Sequence, residues 1–103
     1  MKPSIDIQAN HLKIVQDILQ KYLPAQTTVF AYGSRARKTA KPFSDLDLMI
    51  DAGKPLPSSI LTDIAFDLEE SDLPYKVDLV DQAVLSESFR KAIQSDQVII
   101  WQR

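Results

Sequence analysis

The amino-acid sequence predicts an α/β (α+β) domain in which helices pack on a β-sheet. Three observations lead there. Segments whose apolar residues recur at three- and four-residue steps alternate with short β-branched segments of period two, and alternation of this kind stacks helices on a sheet. The chain is 103 residues long, so residues 1–103 read as one domain, which buries about two-thirds of its unfolded surface around a single core. Hydrophobic residues make up 45% and charged residues 25%, the balance of an ordinary soluble globular protein.

Residues from about Ile5 to Leu23 predict the first helix. Leu12, Val15, Ile18, Leu19, Tyr22 and Leu23 form its apolar stripe. Asp6 or Asn10 can cap its start, and Pro24 stops it, because the residue before a proline avoids helical geometry. The β-branched and aromatic run Thr27 to Tyr32 predicts a strand, broken at Gly33. Ser34 to about Lys38 predicts a short helix, and Lys41-Pro42 a loop. Asp45 to Asp51 alternates with period two and predicts a second strand. Gly53 to Pro57 is a turn-rich connector. Ser58 or Ser59 can cap a helix to about Ser71, with Ile60, Leu61, Ile64, Ala65 and Leu68 inward and Asp63, Asp67 and Glu70 in water. Tyr75 to Asp81 predicts a third strand. Ser86 to about Ser95 predicts a last helix with Phe89, Ala92 and Ile93 inward. Val98 to Trp101 predicts an edge strand or a strap over the core.

Composition removes several function classes. No stretch approaches the roughly 18 apolar residues of a membrane span, and the first residues lack the apolar run of a signal peptide. Cysteine is absent, which excludes disulfides, thiolate nucleophiles and zinc fingers. The single histidine, His11, excludes a His-rich metal site. Twelve basic residues stand against 14 acidic ones, a net charge of −2, whereas a domain that wraps duplex DNA is usually basic. The expectation is a cytoplasmic domain with no membrane contact and no direct binding of duplex DNA.

The informative segment is Gly33-Ser34-Arg35-Ala36-Arg37-Lys38, followed by Ser44-Asp45-Leu46-Asp47-Leu48. Residues i and i+2 of a strand share a face, so Asp45 and Asp47 stand together while Leu46, Leu48 and Ile50 point to the core. Two carboxylates this close raise each other's pKa unless a cation lies between them. Oxygen-only ligation suits Mg²⁺, which takes one or two carboxylates plus substrate phosphates. Gly33-Ser34 lies between a strand and a predicted helix, where glycine admits close backbone approach and free N–H groups attract anions. Arg35, Arg37, Lys38 and Lys41 cluster in seven residues of an otherwise acidic chain. A phosphate cradle beside a carboxylate pair is equipment for phosphoryl or nucleotidyl transfer. Asp78 is the candidate third carboxylate of a two-metal site: Val77 and Leu79 face the core, so Asp78 faces the open side. Asp81 has the opposite parity and is the weaker choice.

Gly-Ser, two residues, Arg, a short loop and Ser-Asp-x-Asp-Leu together resemble the signature of the DNA polymerase β nucleotidyltransferase superfamily. The short length, the leading helix and the strand around Asp78 resemble its smallest branch, the minimal nucleotidyltransferases, the MNT or MntA antitoxins encoded beside HEPN-domain toxins. The resemblance implies a nucleotidyltransferase fold, a small mixed sheet with helices mainly on one face. It implies that Gly33, Ser34, Arg37 and Ser44 hold the nucleotide. It further implies that Asp45, Asp47 and Asp78 are catalytic and ligate metal, two Mg²⁺ ions with ATP as substrate. The implied reaction is transfer of AMP to a protein hydroxyl, a tyrosine of a cognate HEPN-type RNase toxin, within a homodimer or a hetero-oligomer with that toxin. One departure stands out: the family usually has glycine where this chain has Lys38, at a position that often ends the short helix in a conformation glycine prefers.

Two other functions compete. A non-catalytic module could neutralise a toxin by occlusion: a pure binder gains nothing from three clustered carboxylates, but the Lys38 departure keeps this reading open. A small-molecule adenylyltransferase of the aminoglycoside type carries an added domain that completes the acceptor site, for which this chain is too short unless a dimer or partner supplies it. Plainer roles fall to the remaining residues: a turn for Asp51, surface for His11, packing for Tyr32, and a core or interface anchor for Trp101. Arg35, Lys38 and Lys41 equally suit a partner surface, and the acidic helix around residues 63–72 is a wet face.

Overall fold

The structure, a computed structural model, describes residues 5–103. Its elements in chain order are helix α1 (Ala9–Tyr22), strands β1 (Thr28–Tyr32) and β2 (Leu46–Asp51), helix α2 (Ser58–Glu69), strand β3 (Val77–Asp81), a 3₁₀ turn (Gln82–Val84), helix α3 (Glu87–Gln94) and strand β4 (Val98–Gln102). The four strands form one mixed sheet in the order β3-β2-β1-β4. β1 runs antiparallel to β2 and β4, and β3 runs parallel to β2. The tail is therefore an edge strand. α2 is the crossover between the parallel pair, the connection that parallel strands require.

Period two divides the sheet. Leu46, Leu48 and Ile50 of β2 and Val29 and Ala31 of β1 meet Leu12, Val15 and Leu19 of α1 and Ile64 and Leu68 of α2 in one core, with Ile100 and Trp101 of β4. Burying each such aliphatic side chain is worth about 1.5–3 kcal/mol. The opposite face carries only a small cluster, Tyr32, Met49 and Ile93 with Phe30, Val80 and Leu85 at its margin. α3 thus covers part of that face and leaves the ends of β2 and β3 near Asp47 and Asp78 accessible.

Several predicted boundaries shift. The first helix begins at Ala9, not at Ile5. Ile5 and Ile7 are both buried, but they belong to a bent, non-helical lead-in in which the Ile7 N–H donates to the Ile5 carbonyl at 3.0 Å. Asp6 does not cap α1: its N–H donates to the Arg35 carbonyl at 2.8 Å, and its carboxylate accepts from the Ala40 N–H at 3.2 Å. Neither Ser58 nor Ser59 caps α2, which starts at Ser58 after Pro57 without a side-chain cap. Ala65, Phe89 and Ala92, predicted inward, are exposed, and the buried faces narrow to Ile64 and Leu68 in α2 and to Ile93 in α3. Residues 34–38 form a compact turn rather than a helix. His11 is not plain surface: its ring meets Tyr75 edge-on at 5.5 Å, with Nδ1 3.3 Å from the Tyr75 hydroxyl.

Candidate active site

The site is assembled where β1 ends and β2 begins. Tyr32, the last residue of β1, is the register partner of Asp47. Gly33 follows with φ of +79°, and a Cβ on it would lie 2.5 Å from Asp47 Oδ2. Only glycine admits both that backbone and that close approach. Residues 33–39 then close on themselves. The Arg37 N–H donates to the Gly33 carbonyl (3.0 Å), the Lys38 N–H to the Arg35 carbonyl (3.3 Å) and the Thr39 N–H to the Ser34 carbonyl (2.9 Å). Lys38 has φ of +62°. The last two bonds around a left-handed residue make a Schellman closure, so lysine occupies the conformation for which glycine is suited.

In the parallel pair β2/β3, Asp47 is the direct register partner of Asp78, and neighbouring strands lie about 4.8 Å apart. Asp45 stands just outside β2, exposed, at the entrance to the strand. Burial, then the charges of Asp78 and Asp45, push the Asp47 carboxyl above the usual carboxylate range, with Arg37 opposing. Burial, and then Asp47 and Asp78, likewise push the Tyr32 hydroxyl up. The three predicted carboxylates thus share one field. Among the described residues no three Asp, Glu, His or Cys side chains already converge on one ion. Carboxylate oxygens of this kind are the donors that Mg²⁺ combines, one or two at a time, with substrate phosphates.

The other predicted residues are placed as follows. Arg37 is half-exposed, with Nη1 3.0 Å from the Asp96 carboxylate in the α3–β4 turn. The Ser34 carbonyl is taken up in the turn. The Ser44 hydroxyl accepts from the Lys41 N–H at 2.9 Å and shapes the loop before Asp45. Asp51 accepts from the Gly53 N–H at 3.0 Å, a turn role as expected. Asp81 is buried and accepts from the N–H groups of Ala83 and Leu56. Arg35 is no partner-surface residue: it is buried behind the turn. Sequence reasoning missed Lys76, whose Nζ lies 3.2 Å from Asp78 Oδ1. The side-chain bond to Asp78, then the charges of Asp78 and Asp45, hold the Lys76 ammonium above its ordinary range. Period two was the available signal, because Lys76 stands two residues before Asp78 in the same alternating segment.

The family description "Polymerase beta, Nucleotidyltransferase" matches residues 13–103. The chain belongs to this nucleotidyltransferase family. Along 99 residues it is 42% identical to a probable protein adenylyltransferase MntA of Haemophilus influenzae, covering 96% of this chain and 86% of that one. Two solved structures share the nucleotidyltransferase fold. One is a toxin–antitoxin with AMP-PNP (TM-score 0.75, 22% identity, 89% of this chain and 73% of that chain). The other is an MNT antitoxin in complex with a tri-AMPylated HEPN toxin from Shewanella oneidensis (TM-score 0.72, 20% identity, 94% and 74%).

Proposed function

We propose that this nucleotidyltransferase moves AMP from ATP to a hydroxyl of a protein, a tyrosine of a HEPN-type toxin, and thereby acts as the antitoxin of a toxin–antitoxin pair. The observation that carries the proposal is the register pairing of Asp47 with Asp78 beside the Gly33 turn. The 42% identity to a probable protein adenylyltransferase supports the AMP donor and the protein acceptor. The tri-AMPylated toxin in the Shewanella oneidensis complex supports the toxin as partner. The reaction is proposed for the cytoplasm; among the described residues no helix is long and apolar enough to cross a membrane. Residues 1–103 act as one catalytic domain.

The residues divide the work. Gly33 and Ser34 lie along the triphosphate, and Arg37 neutralises it after leaving Asp96. Ser44 shapes the loop that presents Asp45. Asp45, Asp47 and Asp78 would hold Mg²⁺, which supplies charge neutralisation at the phosphates and lowers the pKa of an oxygen bound to it. Asp78, on the strand nearer the sheet edge, takes the proton from the acceptor hydroxyl. The acceptor oxygen bonds to the α-phosphorus, the bond to the β-phosphate oxygen breaks, and pyrophosphate leaves. Positioning and charge neutralisation supply the rate.

Melting temperatures with ATP alone, Mg²⁺ alone and both test the site. The cation should relieve the raised Asp47 carboxyl and be completed by the nucleotide, so the pair should stabilise more than the sum of the two single additions. No excess over that sum would contradict the proposed site.

A further inference from the structure

We infer that Arg35 is a positioning residue that locks the phosphate turn to the peptide carrying Asp45; the inference rests on the metal and nucleotide reading of the site. Arg35 is 5% exposed, and among the described residues no carboxylate pairs with it. A buried guanidinium without an anion is costly unless its donors are satisfied. Here backbone carbonyls satisfy them. Nε and Nη2 both donate to the Ser44 carbonyl, at 3.0 and 2.8 Å. Nη2 also reaches the Pro42 carbonyl at 3.2 Å, and Nη1 the Asp6 carbonyl at 2.8 Å. The guanidinium lies over the Tyr75 ring, 3.8 Å from its centroid.

The Ser44 carbonyl belongs to the peptide that joins Ser44 to Asp45. Because a peptide is planar, a two-pronged hold on that oxygen fixes the plane from which Asp45 departs. On its other side the Leu46 N–H donates to the Lys76 carbonyl at 2.9 Å. Asp45 lies outside the strand ladder that orients Asp47 and Asp78, so the paired Arg35 bonds to the Ser44 carbonyl and the Leu46–Lys76 bond fix the peptides on either side of it. Arg35 itself sits inside the turn that begins at Gly33. One side chain therefore sets the phosphate turn and the first carboxylate in a common frame. Lysine cannot reproduce this hold, because it lacks the planar fork and the stacking face.

The test uses Arg35→Lys and Tyr75→Leu in the full chain, with a non-hydrolysable ATP analogue and Mg²⁺ as the probes. The readout is the Mg²⁺ concentration giving half of the analogue-dependent rise in melting temperature. Residues that orient metal ligands typically alter metal affinity by about 10–100-fold. Arg35→Lys should raise the Mg²⁺ midpoint by about tenfold or more, while half-saturation by the analogue at high Mg²⁺ moves far less. Tyr75→Leu should shift the Mg²⁺ midpoint in the same direction by a smaller factor. A role confined to packing would lower the melting temperature of the unliganded protein and leave the Mg²⁺ midpoint in place. A folded Arg35→Lys protein with the wild-type Mg²⁺ midpoint overturns the inference. If Arg35→Lys does not fold, an unchanged midpoint in Tyr75→Leu overturns it. A wild-type protein with no Mg²⁺-dependent response to the analogue overturns the site reading itself, and this inference with it.

Discussion

Replacing Gly33 by alanine separates a structural cost from a catalytic one. At φ of +79° a residue with a Cβ costs about 1–2 kcal/mol. The new methyl would also stand 2.5 Å from Asp47 Oδ2, well inside ordinary van der Waals contact. The overlap falls on the free end of a side chain, so the carboxylate rotates away and the backbone stays. The stability loss therefore stays near 1–2 kcal/mol, a fall in melting temperature of about 4–16 °C for a domain of this size. The rate suffers more. Moving one transition-state stabiliser out of place costs on the order of 10²–10³. Gly53 provides the control, because its φ is +78° and a Cβ there meets nothing within 4 Å. Gly53→Ala should lose similar stability and keep its rate. The assay is AMP transfer well below both melting temperatures, beside thermal melts of each variant. A folded Gly33→Ala protein within about tenfold of the wild-type rate would refute the reasoning, as would an equal rate loss in Gly53→Ala.

Among the described residues Lys38 is the one lysine held in the left-handed region, at φ of +62°. Lys38→Gly should stabilise the protein by about 0.5–1 kcal/mol, the relieved strain less the entropy of glycine, read as a melting temperature a few degrees higher; a lower value would contradict the Schellman reading of the turn. Asp47 gives a pH signature. Its folded carboxyl is raised, so the folded state binds more protons than the unfolded one just above the ordinary carboxylate value. Without metal, stability due to Asp47 is present below that value and is lost as pH rises through the raised one. Denaturant titrations from about pH 4 to pH 7 should show Asp47→Asn gaining on wild type and then levelling. A metal-free wild type more stable than Asp47→Asn at pH 7 would reverse the sign. Asp45→Asn with Asp47→Asn should likewise stay folded without metal, by far-ultraviolet circular dichroism, and lose AMP transfer; unfolding would mark those carboxylates as structural.

Strand phase made much of the site legible in the sequence. Leu46, Leu48 and Ile50 had to face the core, which put Asp47 on the open face, and Val77 and Leu79 did the same for Asp78. The Gly33 turn was legible as a break after a β-branched run. The start of α1 differs because Ile5 and Ile7 are buried from a bent, non-helical lead-in, and their spacing of two lies outside the helical stripe that begins at Leu12. Arg35 was misread because its burial depends on carbonyls 7 to 29 residues away, which no local pattern records. Asp81, the weaker choice by parity, is buried and held by the Ala83 N–H two residues on and by the Leu56 N–H from 25 residues away. The Asp96 hold on Arg37 joins residues 59 apart and leaves no mark in the motif.

The central claim is that the register-paired carboxylates transfer AMP to a protein. Its most direct test is the intact mass of a HEPN-type toxin after incubation with this protein, Mg²⁺ and ATP. Wild type should add one or more AMP units. Asp78→Ala should keep nucleotide binding through Asp45, Asp47 and the Gly33 turn, yet label the toxin on the order of 10²–10³ more slowly. Toxin that is silenced by wild type while its mass stays unchanged, or that is labelled as fast by Asp78→Ala as by wild type, would contradict the account.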